Sequence, residues 1–232
     1  MKKLAFIIVS GALLSFAAAN TKAQGHSRQV SGYNAVASAG PFNVHIKIDG
    51  NESVRVDADA DVINDIETVV EDHTLKIKFK DHEYRHHNIH KADIYVEAKS
   101  LNALTNSGSG SMRVDGTASA GDFQAILSGS GNISTSVKSD DLHAVISGSG
   151  SIDLKGSAHN ASFVISGSGE IGGKGLRTNS VSAVITGSGN IYVYADDRIS
   201  AHITGSGSVF YSGNASVVDG RYTGSGRVIK GD

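Results

Sequence analysis

Residues 142–154 read LHAVISGSGSIDL, and their alternation decides the fold. Leu142, Ala144, Ile146, Gly148, Gly150, Ile152 and Leu154 share one parity, while polar residues and a single valine, Val145, hold the other. Successive side chains of a β-strand point to opposite faces, whereas a helix repeats every 3.6 residues. The pattern therefore predicts strand with the apolar parity buried. Residues 181–193 (VSAVITGSGNIYV) and 199–211 (ISAHITGSGSVFY) repeat it, from Val181 to Val193 and from Ile199 to Tyr211.

Outward from this stretch runs an array. Gly-Ser-Gly begins at Gly108, Gly129, Gly148, Gly167, Gly187, Gly205 and Gly224, at intervals of 21, 19, 19, 20, 18 and 19 residues. A fixed period of this length marks stacked structural units. One unit alone buries too few aliphatic side chains to offset the entropy of ordering its backbone. Neighbours must share hydrogen bonds and cover each other's edges, as in solenoids. The expected fold is all-β: a parallel β-helix-like solenoid with rungs of about 18–21 residues, and Ile146, Ile165, Ile185 and Ile203 stacked in its core.

Glycine in a strand interior usually marks a bend or a close backbone approach. Two glycines of inward parity per unit predict a narrow corner, where a β-carbon would strike the opposite wall. A nucleotide-binding glycine loop would occur once, before a helix, and seven copies argue against it. The residues between the glycines point out. Ser128, Ser130, Ser147, Ser149, Ser166, Ser168, Thr186 and Ser188 form the middle of a hydroxyl stripe that also includes Ser107, Ser109, Thr204, Ser206, Thr223 and Ser225. The stripe reads as a solvated polar face or as a binding surface for glycan or another partner. A second outward column is apolar: Ile126, Val145, Val164 and Val184, flanked by Thr105, His202 and Arg221. Soluble monomers seldom leave such a band bare, so an internal layer or a homodimer partner is expected to cover it.

The chain opens with Lys2 and Lys3, an apolar run from Leu4 to Ala19, and a small-residue stretch. This is the plan of a signal peptide over residues 1–23, with cleavage after Ala19 or Ala23. The expected address is therefore outside the cytoplasm: periplasm, outer-membrane surface or extracellular. No cysteine occurs, which excludes lipidation at that position, disulfides and thiolate sites. No later run is long enough for a membrane span. The net charge of −2 is spread along the chain, giving no nucleic-acid footprint.

Residues 24–39 read as a short leading segment, and 40–232 as one solenoid domain. Within it, 40–100 lacks Gly-Ser-Gly but still alternates. Phe42, Val44, Ile46 and Ile48 predict one strand; Val54, Val56 and Ala58 a second, after the turn signal Asp49-Gly50. Leu75, Ile77 and Phe79 predict a third, and Ala92, Ile94, Val96 and Ala98 a fourth. Asp61 to Val70 reads as a helical turn or loop. These strands begin the same stack with less regular rungs, or cap it.

The run GPFNVHIKIDGNESVRVDADADVINDIETVVEDHTLKIKFKD (40–81), then ADIYVEAKSLNALTNSGSGSMRVDG (92–116) and the later SGSGNI and TGSGNI repeats, resembles the auto-transporter adhesin family whose unit is called the head GIN domain. The resemblance runs from about Val36 to the C-terminus. It implies a right-handed parallel β-helix-like fold in the cell envelope of Bacteroidetes, and offers no site motif to carry over.

Three clusters carry possible chemistry. His82, His86, His87 and His90 lie with Asp81 and Glu83 in DHEYRHHNIHK, and neutral imidazole is the commonest transition-metal ligand. The segment joins two strands and reads as an exposed loop without an obligatory metal. Asp57, Asp59 and Asp61 alternate like the start of a calcium loop, but Val62 stands where that loop needs glycine and Thr68 where it needs glutamate. Asp153 and Glu170, on neighbouring rungs at outward parity, come nearest to a glycosidase pair. A polysaccharide-degrading enzyme would need aromatic platforms, and with no tryptophan, seven Tyr, seven Phe, and Phe123, Phe163 and Tyr211 at inward parity, that reading is disfavoured. The reading is a non-enzymatic envelope or surface protein without cofactors, structural or adhesive, meeting glycan or protein partners. Its rivals are a polysaccharide-active β-helix enzyme and an envelope sensor or scaffold.

Overall fold

The structure, a computed structural model, describes residues 26–80 and 89–231 of 232. Among the described residues every regular element is a strand. They are β1 (His26–Arg28), β2 (Ala35–Ala39), β3 (Asn43–Ile48), β4 (Ser53–Ala58), β5 (Ile66–Glu71), β6 (Thr74–Phe79), β7 (Ala92–Ala98), β8 (Ala103–Gly108) and β9 (Ser111–Ser119). Then follow β10 (Asp122–Gly129), β11 (Asn132–Gly148), β12 (Ser151–Gly167), β13 (Glu170–Gly187), β14 (Asn190–Gly205), β15 (Ser208–Ser212), β16 (Ser216–Gly224) and β17 (Val228–Lys230). The chain winds into a parallel β-solenoid, as the period requires.

Each rung contributes to two walls, joined at the Gly-Ser-Gly corner. The lead-in residues of β8, β10, β11, β12, β13, β14 and β16 pair in parallel as the first wall. Residues after the corner, in β9, β11, β12, β13, β14, β15 and β17, form the second wall. The expected core column is in register: Ile146 pairs with Ile165, Ile165 with Ile185, and Ile185 with Ile203. Their exposure is 0%, 0%, 0% and 2%. Burial of each is worth about 1.5–3 kcal/mol.

The glycines owe their place to a different neighbour from the one the parity suggests. Gly150 is buried and Gly148 half-buried, but a β-carbon on either would strike the rung beneath, not the opposite wall. For Gly148 the atom met is the carbonyl oxygen of Gly129, and for Gly150 that of Gly131. At Gly169 the atoms met are Ile146 Cγ2 at 2.6 Å and Gly150 O at 2.7 Å. Gly148 also has φ of +131°, a conformation that side chains disfavour. The corner is narrow along the stack.

The N-terminal segment is in the stack but out of chain order. The rung made by β2 and β3 lies between the rung of β6 and β7 and the rung of β8 and β9. Gly40 takes the corner role, its carbonyl accepting from the Gly110 amide at 3.3 Å. Ala35–Ala39, placed by sequence in a segment before the domain, is thus hydrogen-bonded on both edges. Asp61 to Val70 is neither a helical turn nor loop throughout: tight turns at 59–65 lead into β5. β5 pairs antiparallel with β6, while β4 pairs antiparallel with β7 and β1 with β4. These reversed strands close the N-terminal end of the stack. The other end leaves Val217, Val218, Tyr222 and Ile229 between 39% and 63% exposed.

The apolar column Ile126, Val145, Val164 and Val184 is in register and half-buried, and among the described residues no strand layer lies over it. No internal cover by the described residues explains it.

Candidate functional site

At the corner, Ser128, Ser147, Ser166 and Thr186 stand in register, and Ser130, Ser149, Ser168 and Ser188 follow one glycine later. All eight are exposed, because the paired glycines turn the intervening residues outward. The stripe is continuous with Ser107 and Thr204 on either side.

A second column emerges on the outer face of the second wall, at the fifth residue after the first glycine of each motif. In stack order it holds Arg113, Ser134, Asp153, Gly172, Tyr192, Phe210 and Ile229. Tyr192 and Phe210 stack with ring centroids 5.0 Å apart and planes 11° from parallel. Sequence reasoning missed this ladder: Phe123 and Phe163 are buried as expected, but other aromatics face out. Aligning the units on their glycines exposes the column directly.

Beside the ladder the register breaks. Asp153 pairs with Gly172 and Lys155 with Gly175, so β13 carries an extra residue. Such bulges re-aim side chains and gather next to functional sites. The bulge opens a groove of about 470 Å³, lined by Asp153, Lys155, Glu170, Gly172, Lys174 and Tyr192 among others. Lys174 Nζ lies 4.9 Å from the Tyr192 ring centroid. The two carboxylates Asp153 and Glu170 do share this groove. Neither is in an ion pair among the described residues.

A third feature lies towards the N-terminal end. Tyr95 is held between Arg55, 4.0 Å from its centroid, and the His45 ring at 5.1 Å. Both faces of this tyrosine are taken. The surrounding charges are mostly paired: Lys91 with Asp57 at 2.8 Å, Lys47 with Asp49 at 3.2 Å, Lys99 with Glu52 at 2.7 Å.

Asp59 accepts the backbone amides of His90 at 2.7 Å and Lys91 at 2.9 Å, and those bonds, led by Lys91, hold its carboxyl below the usual range. Asp57 and Asp59 are thus occupied in fastening the chain. The hydrogen bond to Lys99 lowers Glu52. Burial, aided by Glu52, pushes the Tyr33 phenol up to about 12. Of the histidine cluster, His82, His86 and His87 lie outside the described residues, and His90 is exposed. Among the described residues no group of three or more His, Cys, Asp or Glu is placed to hold a metal. No helix among them is long and apolar enough to cross a membrane.

A family model described as "Putative auto-transporter adhesin, head GIN domain" matches residues 32–215. The chain belongs to that family. The head GIN domain match spans the out-of-order opening rung and the glycine corners from Gly108 to Gly207. Solved structures share the fold. A "putative adhesin" from Bacteroides fragilis superposes with a TM-score of 0.82 at 22% identity, covering 89% of this chain and 96% of that one. A "putative lipid binding protein" from Parabacteroides distasonis gives 0.73 at 24% identity, covering 90% and 96%. A further "putative adhesin" from Parabacteroides distasonis gives 0.69 at 26% identity, again covering 90% and 96%. No curated protein matches the chain. Family membership implies an exported or surface protein.

Proposed function

We propose that this head GIN domain is a non-enzymatic adhesive module of the cell envelope that engages glycan through the outside of its solenoid. The observation that carries the reading is the outward aromatic ladder of Tyr192 and Phe210 beside a groove of balanced charge. An aromatic face combined with a few polar groups is the usual composition of a site for a small or extended ligand. The repeating corner hydroxyls add a regular polar edge to the same surface. The test is binding of the chain from Gln24 onward, coupled to a sensor surface, to a panel of neutral polysaccharides, acidic polysaccharides, matrix proteins and phospholipid vesicles. Binding to glycan supports the reading; binding to vesicles alone, or to nothing, overturns it.

One observation favours a second reading. Asp153 and Glu170 line the groove that holds Tyr192, and two carboxylates beside a sugar platform are what glycoside hydrolysis uses. Release of reducing ends from a bound polysaccharide, lost in Glu170→Gln, would replace adhesion by turnover.

A further inference from the structure

The outer column of the second wall has one gap. Asp153, Tyr192 and Phe210 each project a side chain, but Gly172, between Asp153 and Tyr192, has none. Rungs repeat at about 4.8 Å, so the missing side chain leaves roughly 10 Å between the rungs of Asp153 and Tyr192, and the Asp153 carboxylate leans into that space. A side chain here is not forbidden by the backbone. A β-carbon on Gly172 would be crowded by Asp153 Oδ1 at 2.6 Å, the far end of a flexible side chain, while Asp153 Cγ at 3.7 Å and the Ile152 carbonyl oxygen at 3.9 Å lie in ordinary contact. The glycine is therefore not forced by the stack, unlike Gly150, whose β-carbon would strike backbone.

The gap has a chemical character on each side. Phe210 covers one face of Tyr192, leaving the other towards the gap. The negative face of an aromatic ring attracts the electropositive C–H edge or face of another ring. The Lys174 ammonium lies 4.9 Å from the ring centroid, an exposed cation–π contact that a ligand displaces at small cost. Glu170 stands two residues before Gly172 on the same strand and face, and Asp153 one rung below. Carboxylates accept hydrogen bonds and donate none, which suits hydroxyl donors. With Lys155 and Lys174 opposite these two acids, the groove carries no net charge.

We propose that the Gly172 gap is a subsite for one neutral hexose unit of a glycan, its C–H face stacked on Tyr192 and its hydroxyls donating to Asp153 and Glu170. The proposal rests on the adhesive reading above and names its ligand class. Tyr95 at the other end of the wall offers no such place, because Arg55 and His45 occupy both its faces.

The test is affinity gel electrophoresis with soluble β-glucan, mannan and galactan as neutral probes and polygalacturonate as the acidic one. The chain from Gln24 onward should be retarded by at least one neutral polymer. Tyr192→Ala should weaken that binding about tenfold or more, the equivalent of losing one stacking contact. Gly172→Val should do the same by filling the gap, with the melting temperature unchanged, which separates loss of the subsite from loss of the fold. Lys174→Ala should bind as well as the parent or better. If the parent binds a neutral polymer and both Tyr192→Ala and Gly172→Val bind it equally, the subsite is wrong while the adhesive reading stands. Retardation by polygalacturonate alone, weakened in Lys174→Ala, overturns the neutral ligand. No retardation by any polymer overturns the subsite and the glycan reading together.

Discussion

Gly129 presents its carbonyl oxygen directly beneath Gly148, in the place a β-carbon of Gly148 would need. The same oxygen accepts the amides of Ser149 at 3.0 Å and Gly150 at 3.2 Å, so the contact is part of the hydrogen-bonded corner and has no room to relax. Gly148→Val should therefore destabilise by more than about 2 kcal/mol, through overpacking and the disfavoured φ. Ser149→Ala, exposed on the corner, should stay within about 0.5 kcal/mol. Chemical denaturation of both variants decides the matter; equal losses would refute the assignment.

Asn106 sits in the core column between buried Ser38 and Leu127. Its Nδ2 donates to the Gly110 carbonyl at 2.7 Å, but its Oδ1 is buried without a partner. That carbonyl also accepts from the Asn132 amide at 3.1 Å, so it stays satisfied without Asn106. Asn106→Leu should be neutral or stabilise by about 1 kcal/mol, because it removes an orphan acceptor. A loss above about 2 kcal/mol in the denaturation midpoint would show that the amide is needed there.

Asp59 couples the N-terminal closure to pH. Its carboxyl is held below the unfolded value, so its contribution is present above about pH 4 and is lost as pH falls through the lower folded value. Protection of the His90 and Lys91 amides from hydrogen exchange should fall in that acid range. In Asp59→Ala it should be weak already at neutral pH. Protection unchanged in the variant would mean that other contacts hold the segment.

The half-buried band of Ile126, Val145, Val164 and Val184 leaves a second copy as its cover. The parent should self-associate at high concentration, and the Val145→Lys/Val164→Lys double variant should run as a monomer on sizing chromatography. A parent already monomeric at high concentration would leave the band a plain strand surface.

The histidine-rich segment from Asp81 to Lys91 should need no metal. The melting temperature should be the same with and without EDTA. A large drop that zinc restores would promote His82, His86, His87 and His90 to a site.

The stack was legible because its two signals, a period near 19 residues and alternation of two, both act between neighbours. Ile146 to Ile203 fell into place on those alone. The opening rung did not, because the pairing of Val44 with both Ile94 and Met112 joins residues far apart in sequence, and nothing local announces it. The reason for the glycines was half visible: parity marked them as special, but only the register shows which carbonyl each would strike. The Tyr192 and Phe210 ladder was hidden by counting aromatics over the whole chain instead of along one column.

The interleaved opening rung sets an order of assembly. Strands β2 and β3 have both edges unpaired until residues 74–119 arrive to flank them, one side from each direction. From β10 onward every new rung needs only the one before it. The early chain must therefore close long loops before it gains a stable edge, while the later chain adds turns one at a time. Rungs can be gained or lost by duplication in the second part without disturbing the first. The length of the molecule is free to drift, and the knot of strands at its start is not.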